Sequence, residues 1–444
     1  MVSVSGIRGV FGESLTPVNL MNYTAAFGTW INKGTVIVGR DSRVTGELCE
    51  RIVVATLQSV GCDVVMVGIS PTPTIAMAVL KHQAQGAIII SASHNPEEWN
   101  AIKMLNAKSE FLDTTEGEQI LEIAEKGVFP YQTYQHIGMV SFDDKALEYH
   151  VDKILELPYI DKKLITDARF SVVVDAVNGA GSESIPYLLE RLGVKHVKRL
   201  HCTPNGLFPH NPEPLPEHLN EICEVIKKKK FDLGVVVDPD ADRLALVDDN
   251  GRVFGEEYTQ AAAFDFYLGK KRGDICTNLS SSMICDYIAD WNGVKCFRSA
   301  VGEINVVRKM QETGSVICGE GNGGVINPDL HSGRDALVGI AMILQHLAEK
   351  KISSSEYRSS LPDFHIVKTK IPLKGLDPDK VLTKIAHKFA KYDPDITDGV
   401  KINFDKSWAH LRKSNTEPIV RLYTEGTTPE EAKRVAAKVM KEIK

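Results

Sequence analysis

The sequence predicts an α/β protein: three similar mixed-sheet α/β domains and a smaller C-terminal α+β domain around a central cleft. Three observations carry this expectation. The chain has 444 residues, enough for about three domains at roughly 150 residues each. Short apolar runs alternate with helix-period segments, the signature of α/β layering. Three kinds of apolar run also recur, in one order, three times. Composition agrees: 43% hydrophobic and 25% charged residues exclude disordered and collagen-like chains.

Taken in order, the first kind of run ends in a polar loop before a helix, at residues 35–41, 171–178 and 274–278. The second opens on glycine, at residues 61–65, 193–197 and 293–297. The third breaks into an unusual loop. Residues 86–90 lead into Ser91-Ala92-Ser93-His94-Asn95-Pro96, and residues 233–237 into Asp238-Pro239-Asp240-Ala241-Asp242-Arg243. Residues 314–318 lead into Gly319-Glu320-Gly321-Asn322-Gly323-Gly324. Open α/β sheets place ligands beyond the carboxyl ends of their strands, so the three loops are candidates to line one cleft.

Boundaries follow at 1–150, 151–250, 251–363 and 364–444. Residues 149–164 carry helix periodicity and link the first domain to the second. Asp249-Asn250-Gly251 reads as a hairpin turn. After Leu361-Pro362-Asp363 the pattern changes: 364–371 alternates, 377–391 is helical, two strands follow, and 429–444 is an amphipathic helix.

Charge and hydropathy exclude several functions. Fifty-two Lys and Arg against 58 Asp and Glu leave a net charge of -6, so no global basic field draws the chain to nucleic acid. Lys227-Lys228-Lys229-Lys230 reads as a solvated helix end. No run approaches ~18 consecutive apolar residues, and the N-terminus has neither a basic n-region nor an apolar h-region. Eight cysteines without a CxxC pair fit reduced thiols in a cytoplasmic protein rather than a zinc site.

The loops carry the chemistry. In Asp238-Pro239-Asp240-Ala241-Asp242-Arg243, carboxylates at alternate positions can face one point, where their repulsion calls for a hard cation such as Mg²⁺. An EF-hand needs Gly at the sixth position and Glu at the twelfth; Arg243 and Asp249 stand there. A haloacid-dehalogenase-type Asp nucleophile and a plain Asp-rich turn are the alternatives. Ser93, beyond a strand, is a candidate nucleophile or phosphoryl carrier, or else part of a helix cap. Lys103 is a candidate proton-transfer partner, or an exposed lysine. Arg412-Lys413-Ser414-Asn415-Thr416-Glu417-Pro418, with Arg421 following, suits a phosphate cradle, because guanidinium groups grip phosphate bidentately. Surface charge around a capping box is its alternative. The Gly319–324 loop lacks the Lys-Ser/Thr of a Walker motif, but Glu320 could accept from vicinal hydroxyls.

The four loops, in this order and spacing, closely resemble those of the α-D-phosphohexomutase family, which includes phosphoglucomutases, phosphomannomutases and phosphoglucosamine mutases. The resemblance runs over essentially the whole chain. It takes in Ser5-Gly6-Ile7-Arg8-Gly9, Gly39-Arg40-Asp41-Ser42-Arg43 and Asn211-Pro212-Glu213-Pro214-Leu215-Pro216.

The resemblance implies an isomerase that interconverts hexose 6-phosphate and hexose 1-phosphate through a phosphoserine and a 1,6-bisphosphate. Ser93 would carry the phosphoryl group and, with Asp238, Asp240 and Asp242, hold one Mg²⁺. Arg8 and Lys103 would flank the transferring group, while His94 and Arg243 would orient serine and metal. Glu320 and Asn322 would hold sugar hydroxyls. Arg412, Ser414, Asn415, Thr416 and Arg421 would hold the non-reacting phosphate. The implied partner is a small sugar phosphate, with neither nucleic acid nor membrane, for a monomer or homodimer. Many relatives end the sugar loop in Ser-Gly-His or Ser-Ala-His; here it ends Asn322-Gly323-Gly324, so that histidine is missing. The loop's form leans toward phosphoglucosamine mutase. Phosphomannomutase or phosphoglucomutase activity is the alternative, and a metal-dependent phosphohydrolase, in which water intercepts phospho-Ser93, is the rival reaction.

Overall fold

The structure, a computed structural model, describes residues 2–3, 6–373, 377–413 and 419–443. Contacts divide the chain into two compact units, one of Met1–Lys270 with Asn322–Arg358, the other of Lys271–Gly321 with Ser359–Lys444. Three α/β segments with mixed sheets precede a smaller segment with an antiparallel sheet.

The recurrence of runs is a recurrence of topology. In the first unit, Thr35–Arg40 lies parallel between Asp63–Ile69 and Gly86–Ile90, and Trp99–Asn106 returns antiparallel to the latter. The second sheet repeats this order. Ser171–Asp175 lies parallel between His196–Leu200 and Leu233–Val237, with Leu244–Asp248 returning antiparallel. In the second unit, Ile275–Asn278 lies parallel between Cys296–Ser299 and Ile317–Glu320. Parallel neighbours need crossover connections, which here are helices such as Gly46–Ser59, Thr72–His82, Gly181–Arg191 and Glu303–Thr313.

Strand side chains alternate between faces, and both faces of the first sheet are covered. Val36, Val38, Ile88 and Ile90 join Leu20, Phe27, Val53 and Leu57 in one core. Ile37, Ala87 and Ile89 join Ile75 and Val79 in the other. Burial on both sides is why these strands read as unbroken apolar runs.

The C-terminal sheet is antiparallel throughout, in the order His365–Pro372, Ile419–Gly426, Trp408–Lys413, Val400–Asn403. Pro378–Lys388 and Pro429–Ile443 cover it, burying Leu382, Ile385, Val435 and Val439 against Leu411, Val420 and Leu422. Three strands follow the first helix here, where the sequence suggested two. Val400–Asn403 is only four residues long, too short to show an alternating pattern.

The helical stretch at 149–164 is likewise two helices, Ala146–Leu155 and Lys162–Ala168, the second capped by Asp161. Pro158 lies between them and disfavours a continuous helix. The lysine run ends the helix Asn220–Lys229, with Lys230 left-handed at its cap. Gly251, at φ 68°, closes the expected hairpin turn by donating to Asp248. All eight cysteines are free thiols. Among the described residues no helix is long and apolar enough to cross a membrane.

Candidate active site

The serine loop joins Gly86–Ile90 to Trp99–Asn106, and a buried guanidinium holds it in shape. Arg43 pairs with Asp41 at 3.0 Å and donates to the carbonyls of Ser93, Asn95, Pro96 and Trp99 at 2.5–3.1 Å. Ser93 is buried and sits at φ 50°, a left-handed conformation that costs a non-glycine residue about 1–2 kcal/mol. Its N–H donates to Ser91 Oγ at 2.9 Å. The loop is therefore built around the serine's placement.

The aspartate loop presents three fully buried carboxylates whose oxygens lie within 4.8 Å of one another. Ala241, at φ 51°, curls the chain so that alternate side chains converge. Each carboxylate is fastened through one oxygen or more. Asp238 Oδ1 accepts from the N–H groups of Asp242 and Arg243, and its Oδ2 accepts from Ser93 Oγ at 2.7 Å. Asp240 Oδ2 accepts from Lys103 at 2.6 Å and Thr72 at 2.8 Å. Asp242 Oδ2 accepts from Arg334 at 2.7 Å. Asp240 Oδ1 and Asp242 Oδ1 are buried with no hydrogen-bond partner. Buried carboxylate oxygens without partners carry a large desolvation penalty. A hard cation with oxygen ligands removes it, so these residues fit Mg²⁺.

Electrostatics separate Asp238 from Asp240. Burial, then the neighbouring carboxylates of Asp242 and Asp240, push Asp238 well above the usual carboxylate range. Burial also acts to raise Asp240, but the Lys103 ammonium outweighs it and holds Asp240 low. His94 is held well below its ordinary value by burial and by Arg243, Arg8 and Arg334, so its imidazole is neutral. Its Nδ1 lies 3.3 Å from Ser93 Oγ. Arg8 donates to Asn95 Oδ1 at 2.9 Å, and Arg243 to Glu213 Oε1 at 3.3 Å. The first unit thus gathers Ser93, His94, Lys103, Arg8, Arg243 and all three aspartates. Sequence reasoning passed over Thr72 and Arg334, and it gave Arg43 and Glu213 no role.

Gly323 and Gly324 end the loop at the position where the family resemblance implies a histidine. Gly323 has φ 86°, and a Cβ there would lie 2.3 Å from the Leu244 carbonyl oxygen. A Cβ on Gly324 would lie 2.3 Å from Arg334 Cδ. The bare loop leaves room for the arginine that reaches Asp242. Asn322 Oδ1 in the same stretch is buried without a hydrogen-bond partner.

In the second unit, Glu320 is buried and accepts from Asn278 at 3.0 Å and from the Gly302 N–H at 3.3 Å. Arg412 and Arg421 face each other across two antiparallel strands, and Lys370 faces Arg421 from the next strand. Like charges set directly opposite are destabilising, so this basic row suits an anion. Arg412 Nε also lies 2.8 Å from Asp398 Oδ2. Ser414, Asn415 and Thr416 lie outside the described residues.

Comparison with known proteins agrees along the whole chain. Residues 2–130, 148–251 and 256–364 match phosphoglucomutase/phosphomannomutase alpha/beta/alpha domains I, II and III, and residues 369–442 match the family's C-terminal domain. A phosphoglucomutase/phosphomannomutase of Thermococcus kodakarensis is 38% identical over 96% of this chain and 95% of its own. A probable phosphoglucosamine mutase of Methanopyrus kandleri is 32% identical over 97% and 95%. Among solved structures, a phosphoglucomutase/phosphomannomutase family protein of Burkholderia thailandensis shares the fold. Its TM-score is 0.85 at 24% identity, over 100% of this chain and 98% of that one. An N-acetylphosphoglucosamine mutase of Aspergillus fumigatus, solved with GlcNAc-6P and magnesium, shares it more distantly. That TM-score is 0.57 at 14% identity, over 99% and 95%. The chain belongs to the phosphoglucomutase/phosphomannomutase family, the α-D-phosphohexomutases, and is an isomerase.

Proposed function

We propose that this phosphohexomutase moves a phosphoryl group between the 1- and 6-oxygens of a hexose through phosphorylated Ser93 and a hexose 1,6-bisphosphate. Glucosamine phosphate is its preferred sugar. The supporting observation is the hydrogen bond from Ser93 Oγ to Asp238, beside two buried aspartate oxygens that no protein group satisfies.

Asp238, Asp240 and Asp242, with phosphorylated Ser93, would hold one Mg²⁺, which supplies charge neutralisation for the transferring group. In the first transfer an O–P bond breaks at Ser93 Oγ and one forms at a sugar hydroxyl, which loses its proton while Ser93 Oγ gains one. In the second, the other O–P bond of the bisphosphate breaks at the sugar and forms at Ser93 Oγ, with the protons moving in reverse. Lys103 is the proton-transfer partner and Arg8 faces the moving phosphoryl oxygens, whose charge positioned cations stabilise. Neutral His94 and Arg243 orient the serine and the aspartates. Glu320 and Asn322 hold sugar hydroxyls. Arg412, Arg421, Ser414, Asn415 and Thr416 hold the phosphate that does not react. These roles divide among segments 1–150, 151–250, 251–363 and 364–444. Eight free thiols suit the reducing cytoplasm, where we place the enzyme.

The sugar reading rests on the loop around Glu320 and on relatives named probable phosphoglucosamine mutase at 30–32% identity. The 38% relative named phosphoglucomutase/phosphomannomutase favours glucose and mannose phosphates as the second reading. Rates on the three sugar phosphates, with Mg²⁺ and traces of the matching bisphosphate, decide between them. Ser93→Ala lowers turnover on the best sugar by on the order of 10³-fold or more. Full turnover by Ser93→Ala overturns the phosphoserine route. Inorganic phosphate released as fast as sugar turns over makes the enzyme a phosphohydrolase instead.

A further inference from the structure

The second α/β segment gathers ligand-type side chains that phosphoryl transfer does not use. Asp175 ends the strand Ser171–Asp175, and His201 follows the end of its parallel neighbour His196–Leu200. Parallel pairing delivers both to the carboxyl edge of the sheet, where α/β folds hold ligands. His210 arrives at that edge from residues 201–215, which form neither helix nor strand. One ligand atom from each of the three lies within 4.8 Å of the others.

Each side chain is already oriented. Val177, at φ 45°, turns its N–H back to Asp175 Oδ1 at 3.0 Å, which leaves Oδ2 toward His210. His210 Nε2 lies 3.1 Å from that oxygen, while its Nδ1 donates to the Asn211 carbonyl at 2.9 Å. His201 Nε2 donates to Glu221 Oε2 at 3.0 Å. Each neutral imidazole thus spends its one N–H on an oxygen outside the group and keeps a bare nitrogen. Metal-binding histidines are held in this way, with the far ring nitrogen on a carbonyl or carboxylate. At His210 the bare nitrogen faces a carboxylate oxygen, two acceptors that a proton or a metal ion must bridge. The Asp175 side chain is 2% exposed, against 18% for His210 and 20% for His201. The negative charge is buried, and the imidazoles reach water, where an ion can enter.

We propose that Asp175, His201 and His210 bind one divalent transition-metal ion, Zn²⁺ by ligand preference, which clips residues 201–215 to the sheet. Imidazole nitrogens favour such ions over Mg²⁺, whose oxygen ligands stand in the aspartate loop. Zinc bonds of about 2.1 Å set tetrahedral ligands about 3.4 Å apart. From 4.8 Å the atoms close by about 1.4 Å, within reach of side-chain rotation. Water takes the fourth position. The clip bears on the cleft through Glu213, which follows His210 in the same loop. Glu213 Oε1 accepts from Arg243 at 3.3 Å and lies 4.0 Å from His94 Nε2. Zn²⁺ binds here whatever reaction the cleft performs.

Calorimetric titration of the full chain with Zn²⁺, in excess Mg²⁺, tests this. One Zn²⁺ per chain is expected that Mg²⁺ does not displace, and Asp242→Asn, which disarms the aspartate loop, keeps it. Losing an outer partner weakens a metal site by about 10- to 100-fold. Losing a ligand, in His210→Ala or Asp175→Asn, therefore weakens Zn²⁺ by about 100-fold or more. Should either variant fail to fold, X-ray absorption of the Zn²⁺-loaded parent reads the ligands directly: two imidazoles and no sulfur. Hydrogen exchange across residues 201–215 slows with Zn²⁺ in the parent and not in His210→Ala. A chain that takes up no Mg²⁺-resistant Zn²⁺ overturns the proposal. So does equal affinity in Asp175→Asn, the mark of two surface imidazoles alone, or a sulfur ligand, the mark of the thiols. Exchange that Zn²⁺ leaves unchanged in the parent overturns the clip.

Discussion

Arg334 shows how much of this site depends on a residue that acts through another side chain. It fastens one oxygen of Asp242 at 2.7 Å and leaves the other unbonded. The next residue, Asp335, caps the helix Ala336–Lys350 and is gripped by His150 at 2.9 Å and His331 at 3.3 Å. The arginine's backbone is therefore anchored. Arg334→Ala leaves a buried carboxylate without its counter-charge, a strongly destabilising change. It also frees a carboxylate that must be oriented, for which losses of about 10- to 100-fold are usual. The expected outcome is a 10- to 100-fold fall in kcat/KM and a lower melting temperature without Mg²⁺, partly recovered when Mg²⁺ is added. Arg334→Lys keeps the charge and recovers part of both. Steady-state kinetics and thermal melts check this; unchanged values would show that Asp242 does not need the arginine.

The sequence revealed Asp238, Asp240 and Asp242 because alternate carboxylates after a strand have few structural uses. Arg334 gave no comparable signal. It lies 92 residues from Asp242 and just before a helix, where a charged residue is unremarked. Thr72, 168 residues from Asp240, escaped for the same reason. Side chains that meet only through tertiary folding leave no spacing to read.

At the scale of elements, the short strand Val400–Asn403 carries a buried cation. Lys401 donates to the Leu279 carbonyl at 2.7 Å and sits 4.6 Å over the Trp408 ring. Burial, then Arg298, lowers its pKa to about 7 against the pull of Asp286 and Glu425. The unfolded chain keeps the ordinary value of 10.5, so between the two values the unfolded state binds the extra proton. Stability from this group accordingly rises with pH above about 7, and below it the buried ammonium carries its full penalty. Calorimetry of the transition that unfolds this unit should show its midpoint rising from pH 7 to 9. Lys401→Met flattens that rise and raises the midpoint at pH 6. A Lys401→Met slope equal to the parent's would mean that other groups set it. Longer elements were plain in the sequence because two-sided burial makes unbroken apolar runs. Val400-Lys401-Ile402-Asn403 has a lysine in the middle, which hides a strand whose lysine is itself buried.

For the whole molecule, the prominent fact is that neither unit is continuous in sequence. The chain passes between them after Lys270, after Gly321 and after Arg358. Length and periodicity made the succession of α/β segments legible. They could not show this interleaving, which depends on where residues 322–358 pack. The helix Ala336–Lys350 is buried along nearly its whole length and lies in the same unit as Glu256–Leu268. Lys270, Lys271 and Arg272 are exposed, an open target for trypsin. A cut there should give two fragments on a denaturing gel that still elute together, at the size of the intact protein, under native conditions. Fragments that separate would show that residues 322–358 are held weakly. A gene truncated at residue 270 would leave the first unit without that helix, its apolar partners Ala261 and Phe264 facing water. Ala336–Lys350 is thus a bolt passed back through the body: it keeps a nicked chain in one piece and forbids making either half alone.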